Sequence, residues 1–264
     1  MILDPINSIA SQDFYKKISS QPLWRTFLYI CYVVGIFSII STVAFKVKVG
    51  PVIDETFAWL AQSVPALTYA DGRLSSSLDA PLRLQHPRIP EVSFVIDTLR
   101  SDPVTLQQME ESKVMGYVTS NAFYMRQRSG ELRVHDLTKT PDGARPVLID
   151  AAFFHSAQAV LSRVVYPIAL TATFLMLLFW KIFTTMGVYT VIALIANSMQ
   201  RAALPYPALL NIVAYAQTLM LFIVAITLFL PFGIPAFSLI SLSVTAGYIW
   251  LAIKRHAPAA PLAV

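Results

Sequence analysis

The chain has 264 residues, 56% of them hydrophobic and 13% charged, against about 25% charged in an ordinary soluble domain. Its net charge of +5 does not mark a nucleic-acid binder: residues 46–150 hold 12 basic and 13 acidic side chains, and the five basic groups after Asp150 flank apolar stretches rather than form a patch. With a single cysteine, Cys31, an intrachain disulfide and Cys/His metal spacing are both excluded.

In residues 1–22, Ile6, Ile9, Ala10, Asp13 and Lys17 fall at helical spacing, which predicts an interfacial helix on the inner membrane surface. Residues 23–45 are apolar except for Arg25, and about 20 such residues cross the ~30 Å hydrocarbon core. The run is too long for a signal-peptide core and no A-x-A site follows, so an uncleaved first span is expected. Lys16, Lys17 and Arg25 precede it and outnumber Lys46 and Lys48 beyond it, which places the N-terminus in the cytoplasm. Residues 46–64 read as a stalk, with Ile53, Phe57, Leu60 and Val64 on one helical face and Trp59 suited to an outer interface.

Residues 65–155 change character and are expected to form a small α+β domain outside the cytoplasm. Residues 66–70, Asp71-Gly72 and 73–77 spell a strand, a D-G turn and a strand. Strands are also expected at 92–97 and 147–150, a hairpin over 116–126 and 131–137, and a helix over 103–112.

The sequence then returns to the membrane. A second span is expected over 156–181, and residues 182–203 are apolar but follow it without a loop. They are read as a continuation or inner-leaflet segment broken near Gly187, with a further crossing as the rival. Spans at 206–230 and 232–253 come next, separated by a tight turn over 231–235, and 254–264 is a tail. Lys16, Lys17, Trp24, Arg25, Trp180, Lys181, Arg201, Trp250, Lys254 and Arg255 are the expected interface anchors, all on the cytoplasmic side in this arrangement. The fold class is therefore a membrane all-α helical bundle, four crossings plus one ambiguous apolar helix, with an inserted small α+β extracytoplasmic domain.

Four ordered segments carry a family resemblance: FYKKISSQPLWRTFLY (14–29), VPALTYADGRLSS (64–76), FVIDT (94–98) and LPYPALLNIVAYAQT (204–218). Together they resemble the DUF1189 family of bacterial membrane proteins. Leu99 stands where that family commonly has a glycine after I-D-T, and Leu219 where it commonly has a proline. The resemblance implies a multi-pass protein of the bacterial cytoplasmic membrane with a small extracytoplasmic domain. Some members are associated with maltodextrin utilisation, and the family carries no agreed biochemical activity.

Chemistry-bearing residues are sparse. Asp97-Thr98 and Asp150 each end an apolar strand, the context in which paired carboxylates could activate water, but the turn glycine of such sites is missing after both. Surface roles are expected for His86, His135 and His155, which lack ligand partners at metal spacing. G-x-S-x-G elbows and phosphate-binding glycine loops are absent, as are acidic residues within the spans. Asn197, Asn211 and Gln217 are the polar groups at depth, suited to hydrogen bonds between helices or to a partner helix. With Asp71, Gly72, Asp97 and Thr98 they are the candidate binding residues; catalytic residues, metal and cofactor are not expected. The expected function is that of a non-enzymatic membrane protein, an accessory or assembly subunit, whose outer domain binds a partner protein, peptide or envelope ligand. The rivals are a lipid or small-solute transporter subunit and an envelope hydrolase using Asp97. The partners foreseen are the lipid bilayer and a membrane-protein complex, with no nucleic acid.

Overall fold

The computed structural model describes residues 2–127, 129–139, 145–230 and 234–257. Among them the protein is mostly helical, with four helices long and apolar enough to cross a membrane and two small sheets. The chain divides into a helical unit, Met1–Lys48 with Val165–Val264, and a mixed unit, Val49–Val164.

The helical unit begins with α1 (Asp4–Ala10) and α2 (Phe14–Ser19). The sequence predicts one surface helix here, but Ser11 takes an extended conformation and divides it. Tyr15 and Ile18 of α2 are buried in the core of the unit, so the segment is seated on its own bundle through its apolar face. Next, α3 (Leu23–Ser63) runs 41 residues without a break. The residues expected as first span and stalk form one continuous helix, with Gly50-Pro51 inside it. Pro51 lacks an N–H, so one intrahelical bond is missing there, and Pro65 follows directly beyond the helix end.

The mixed unit contains β1 (Leu67–Ala70), β2 (Arg73–Ser76), β3 (Leu82–Gln85), β4 (Ser93–Asp97), α4 (Leu106–Glu111), β5 (Gly116–Thr119), β6 (Ala122–Arg126), β7 (Leu132–Asp136) and β8 (Val147–Ile149). One sheet has the order β2-β1-β8, the other β3-β4-β5-β6-β7. The D-G turn forms between β1 and β2, with Asp71 at φ 48° and Gly72 at φ 73°, as a two-residue hairpin requires. Beyond the expected strands there is β3, and residues 116–126 are a hairpin in themselves, folded at Ser120-Asn121. β4 and β5 are parallel and joined through α4, whose N-terminus carries a reciprocal capping box between Thr105 and Gln108. Val104, Met109, Val114, Ala122 and Tyr124 form the core under α4. A second core of Leu67, Leu74, Leu84 and Ile96 takes in Trp59 of α3, so Trp59 packs against the sheets of its own unit rather than standing free for an interface.

After β8 come α5 (Ala151–Thr184), a π-helical turn at Thr185–Tyr189, α6 (Thr190–Gln200), α7 (Tyr206–Ala216), α8 (Thr218–Thr227) and α9 (Phe237–Lys254). The π turn contains Gly187, where the sequence predicts a break, and α5 continues through it into α6 as one 50-residue helical stretch. Pro205 and Pro207 open α7, where a missing N–H costs nothing. The expected turn at 231–235 and the tail fall largely outside the described residues.

Gly116 shows how tightly the mixed unit is built. A Cβ there would sit 2.3 Å from Cδ1 of Phe94, its cross-strand partner, whose ring lies over the glycine. Gly116→Ala is therefore expected to destabilise the unit by roughly 1–3 kcal/mol through overpacking. Amide exchange of β4 and β5 in the full-length protein reads this, and adding Phe94→Ala restores part of the lost protection.

Candidate functional site

The candidate residues of the mixed unit have structural partners. Asp71 and Gly72 form the β1–β2 turn, and a side chain at position 72 would meet the Thr138 backbone at 3.0 Å. The Asp97 carboxylate accepts the Tyr117 hydroxyl at 3.1 Å. Burial, the largest effect on it, pushes the Tyr117 phenol up from its ordinary pKa, while the Arg100 guanidinium over the ring opposes this. The hydroxyls of Thr98 and Ser76 share a 2.6 Å hydrogen bond that links the end of β4 to β2. Asp150 sits ahead of α5, its carboxylate accepting the Phe153 N–H at 2.9 Å in a helix cap. The two carboxylates considered for water activation thus end strands of different sheets, each with its own hydrogen-bonded partner.

His86 departs from its expected surface place. It is 3% exposed, and its Nδ1 accepts the N–H groups of Arg88 and Ile89 at 3.2 and 3.1 Å. The proton then belongs on Nε2, 3.3 Å from the Thr56 hydroxyl. His86 therefore fixes the turn after β3 and ties it to α3. The sequence offers a faint signal in the prolines at 87 and 90, which bracket a turn in need of an acceptor.

The unit also has open sheet edges, of which β7 is one. β7 terminates the five-stranded sheet, pairing with β6 on one side only among the described residues. Arg133, Val134 and His135 are exposed along it, Val134 by 52%. At its end the Asp136 carboxyl is held below the usual carboxylate range, chiefly by the Thr138 hydroxyl at 2.6 Å and also by the Thr138 amide.

In the helical unit the predicted polar residues join elements together. Asn211, fully buried on α7, accepts the Thr26 hydroxyl at 2.6 Å and donates to the carbonyls of Ile18 and Gln21 at 3.1 and 2.8 Å. Tyr215, one turn on, stacks on Tyr29 with ring centroids 3.7 Å apart, and the Tyr29 hydroxyl bonds Thr218. Asn197 closes the α6–α7 connector by donating to the Leu204 carbonyl and accepting its N–H, both at 3.1 Å. The Gln217 amide donates to the Thr185 hydroxyl and the Val213 carbonyl, binding the α7–α8 junction to the π turn. Thr26, Tyr29 and Val33 share a face of α3 at helical spacing, a pattern without charged or amide groups to single it out.

Among the expected anchors, Lys16, Lys17, Trp24, Arg25, Trp180, Arg201, Trp250, Lys254 and Arg255 are exposed. Lys181 differs: it is buried at 6% exposure. The N-terminal segment and the end of α9 meet, with the Arg255 guanidinium donating to Gln12 at 3.2 Å, His256 bonded to Ser19 at 3.1 Å and the Tyr248 hydroxyl donating to the Ile9 carbonyl at 3.3 Å.

A family model described as a protein of unknown function, DUF1189, matches residues 6–253. No curated protein and no solved structure matches the chain.

Replacing Asn211 with leucine leaves two carbonyls and the Thr26 hydroxyl without their shared partner. The expected result is a loss of about 1–3 kcal/mol, seen as earlier proteolysis within residues 1–22 of the solubilised protein while cleavage of the mixed unit is unchanged.

Proposed function

We propose that this chain, which belongs to the DUF1189 family, is a non-enzymatic membrane protein whose α+β unit recognises a partner protein on the extracytoplasmic side of the cytoplasmic membrane. The open edge of β7 carries the reading. An edge strand presents a row of backbone donors and acceptors that an extended segment of another chain can pair with. Native edges are commonly blunted by proline, bulges or inward-pointing charge; β7 has no proline, and Val134 stands 52% exposed between Arg133 and His135. A partner strand would gain main-chain hydrogen bonds there, with Val134 as an apolar contact and Arg133 favouring an acidic neighbour. The carboxylates at Asp97 and Asp150 are engaged in the fold, which favours binding over hydrolysis.

The orientation rests on where the basic residues and the ends of the chain fall. The contacts of Arg255 and His256 with Gln12 and Ser19 put the end of α9 beside the N-terminal segment. This suits an even number of crossings, with Ala151–Gln200 crossing once. Lys16, Lys17, Arg25, Arg201, Lys254 and Arg255 then all face the cytoplasm, in keeping with the bias of Lys and Arg to that side. The mixed unit, inserted between the first and second spans, lies on the opposite side.

A photoreactive residue at position 134 is expected to cross-link, in native membranes, to one extended segment of another protein. Val134→Glu, combined with a probe at the neighbouring position 135, is expected to lower that yield about tenfold without altering the protein's abundance. Cross-links that survive this change, or that form only from the helical unit, count against the edge. Topology has its own measurement: in a Cys31→Ala background, a cysteine at position 201 is expected to react with a membrane-impermeant thiol reagent only after the cytoplasmic face is exposed.

A further inference from the structure

Within the helical unit, α3, α5, the α7–α8 pair and α9 line a half-open cavity of about 510 Å³, well within the ~300–1,000 Å³ of small-molecule sites. Much of its wall is apolar, formed by side chains such as Val34, Phe37, Met220, Leu221 and Val224. Four buried side-chain polar atoms have no hydrogen-bond partner among the described residues, and two of them, Lys181 Nζ and Thr245 Oγ1, belong to residues lining this cavity.

Neither group has an easy remedy within the protein. A buried ammonium without a counter-charge costs several kcal/mol, and a lysine near the end of a span ordinarily extends to the headgroups. Lys181 is enclosed at 6% exposure instead. No acidic residue follows Asp150, and the two acids of the helical unit, Asp4 and Asp13, do not line the cavity. Two of the neighbouring polar groups are already engaged: the Thr184 hydroxyl donates to the Lys181 carbonyl, and the Gln217 amide to Thr185 and Val213. What the cavity offers a ligand is one positive charge with N–H donors, the hydroxyls of Thr245, Ser238 and Ser241, and an apolar surface.

We propose that this cavity binds an anionic amphiphile, a molecule with an acyl chain and a carboxylate or phosphate headgroup. The headgroup oxygens accept from Lys181 Nζ, a charge-assisted bond, and Thr245 supplies a second donor. The chain lies along Val34, Phe37, Leu221 and Val224. A neutral headgroup leaves the ammonium uncompensated, so the site selects by charge, while a small free anion leaves the apolar wall empty. This assignment is independent of the β7 reading.

The test uses the purified full-length protein, loaded in turn with palmitate, palmitoyl lysophosphatidate and neutral monopalmitoylglycerol, and the retained molecule counted by native mass spectrometry. Retention of at least one anionic amphiphile is expected to exceed that of the neutral one tenfold or more, and the better retained of the two names the headgroup. Lys181→Met is expected to abolish the preference, Lys181→Arg to keep it, and Thr245→Val to weaken anion retention about threefold. Equal retention of all three molecules overturns the proposal, as does a preference that survives Lys181→Met. Displacement of the bound amphiphile by millimolar acetate or inorganic phosphate overturns it in favour of a free-anion site. A second measurement on the unaltered protein does not depend on the variants folding. Acylation of Lys181 by an amine reagent is expected to fall at least fivefold when the favoured anionic amphiphile is added, and not with monopalmitoylglycerol. Unchanged acylation overturns the assignment.

Discussion

The helical unit closes on one buried amide. Asn211 spends both its amide hydrogens and its carbonyl on the segment that joins α2 to α3. In a low-dielectric interior an unpaired carbonyl is expensive, and Asn211 supplies the turn from α2 into α3 with a partner for the Gln21 carbonyl and a second one for that of Ile18. The stacked Tyr29 and Tyr215 rings and the Tyr29–Thr218 bond extend the same seam along α3 and α7. Around it lie Ile212, Val213 and Ile249, all fully buried. The polar atoms give the seam its register, and the apolar ones supply most of its area.

The mixed unit meets its demands by different means. It has no buried amide network of that kind among the described residues, and depends on close backbone approach and local caps: Phe94 over Gly116, the Thr105–Gln108 capping box, and His86 receiving two turn amides. These fix short strands that would be marginal alone. The unit thereby offers an edge at β7, whereas the helical unit offers a half-open apolar pocket. One chain carries two surfaces of opposite chemistry, a row of backbone hydrogen-bonding groups and an apolar chamber with a single charge.

What could be read in the residues followed from strong local signals. Apolar runs longer than a globular helix requires located the membrane helices, the D-G pair located a hairpin, and FVIDT a central strand. The ordered motifs led to the family that matches nearly the whole chain. Signals that depend on distant neighbours could not be read in this way. Residues 23–45 and 46–64 read as a span and a separate stalk, yet a single helix carries through Gly50-Pro51. β3 lies between Pro81 and Pro87, which argue locally against a strand, and it forms because β4 supplies its ladder. Residues 116–126 read as one strand because Ser120-Asn121 lacks a glycine or proline to mark the fold. Asn211 was legible as a helix-joining amide, but its partners, 185 to 193 positions away in sequence, were not. Lys181 is the sharpest case, since a lysine beside a tryptophan reads as a headgroup anchor and only the enclosing helices turn it inward.

The meeting of the N-terminal segment with the end of α9 bears on the order in which the protein is made. Residues 9, 12 and 19 find their partners 237 to 243 positions later. During synthesis the first two helices emerge long before the surface they rest on has been translated. Their first partners to be made lie on α7, where Asn211 meets the carbonyls of Ile18 and Gln21, and the contacts with α9 come after. The contacts with α9 can therefore close only after every intervening helix has been made, so the two ends of the chain are joined late.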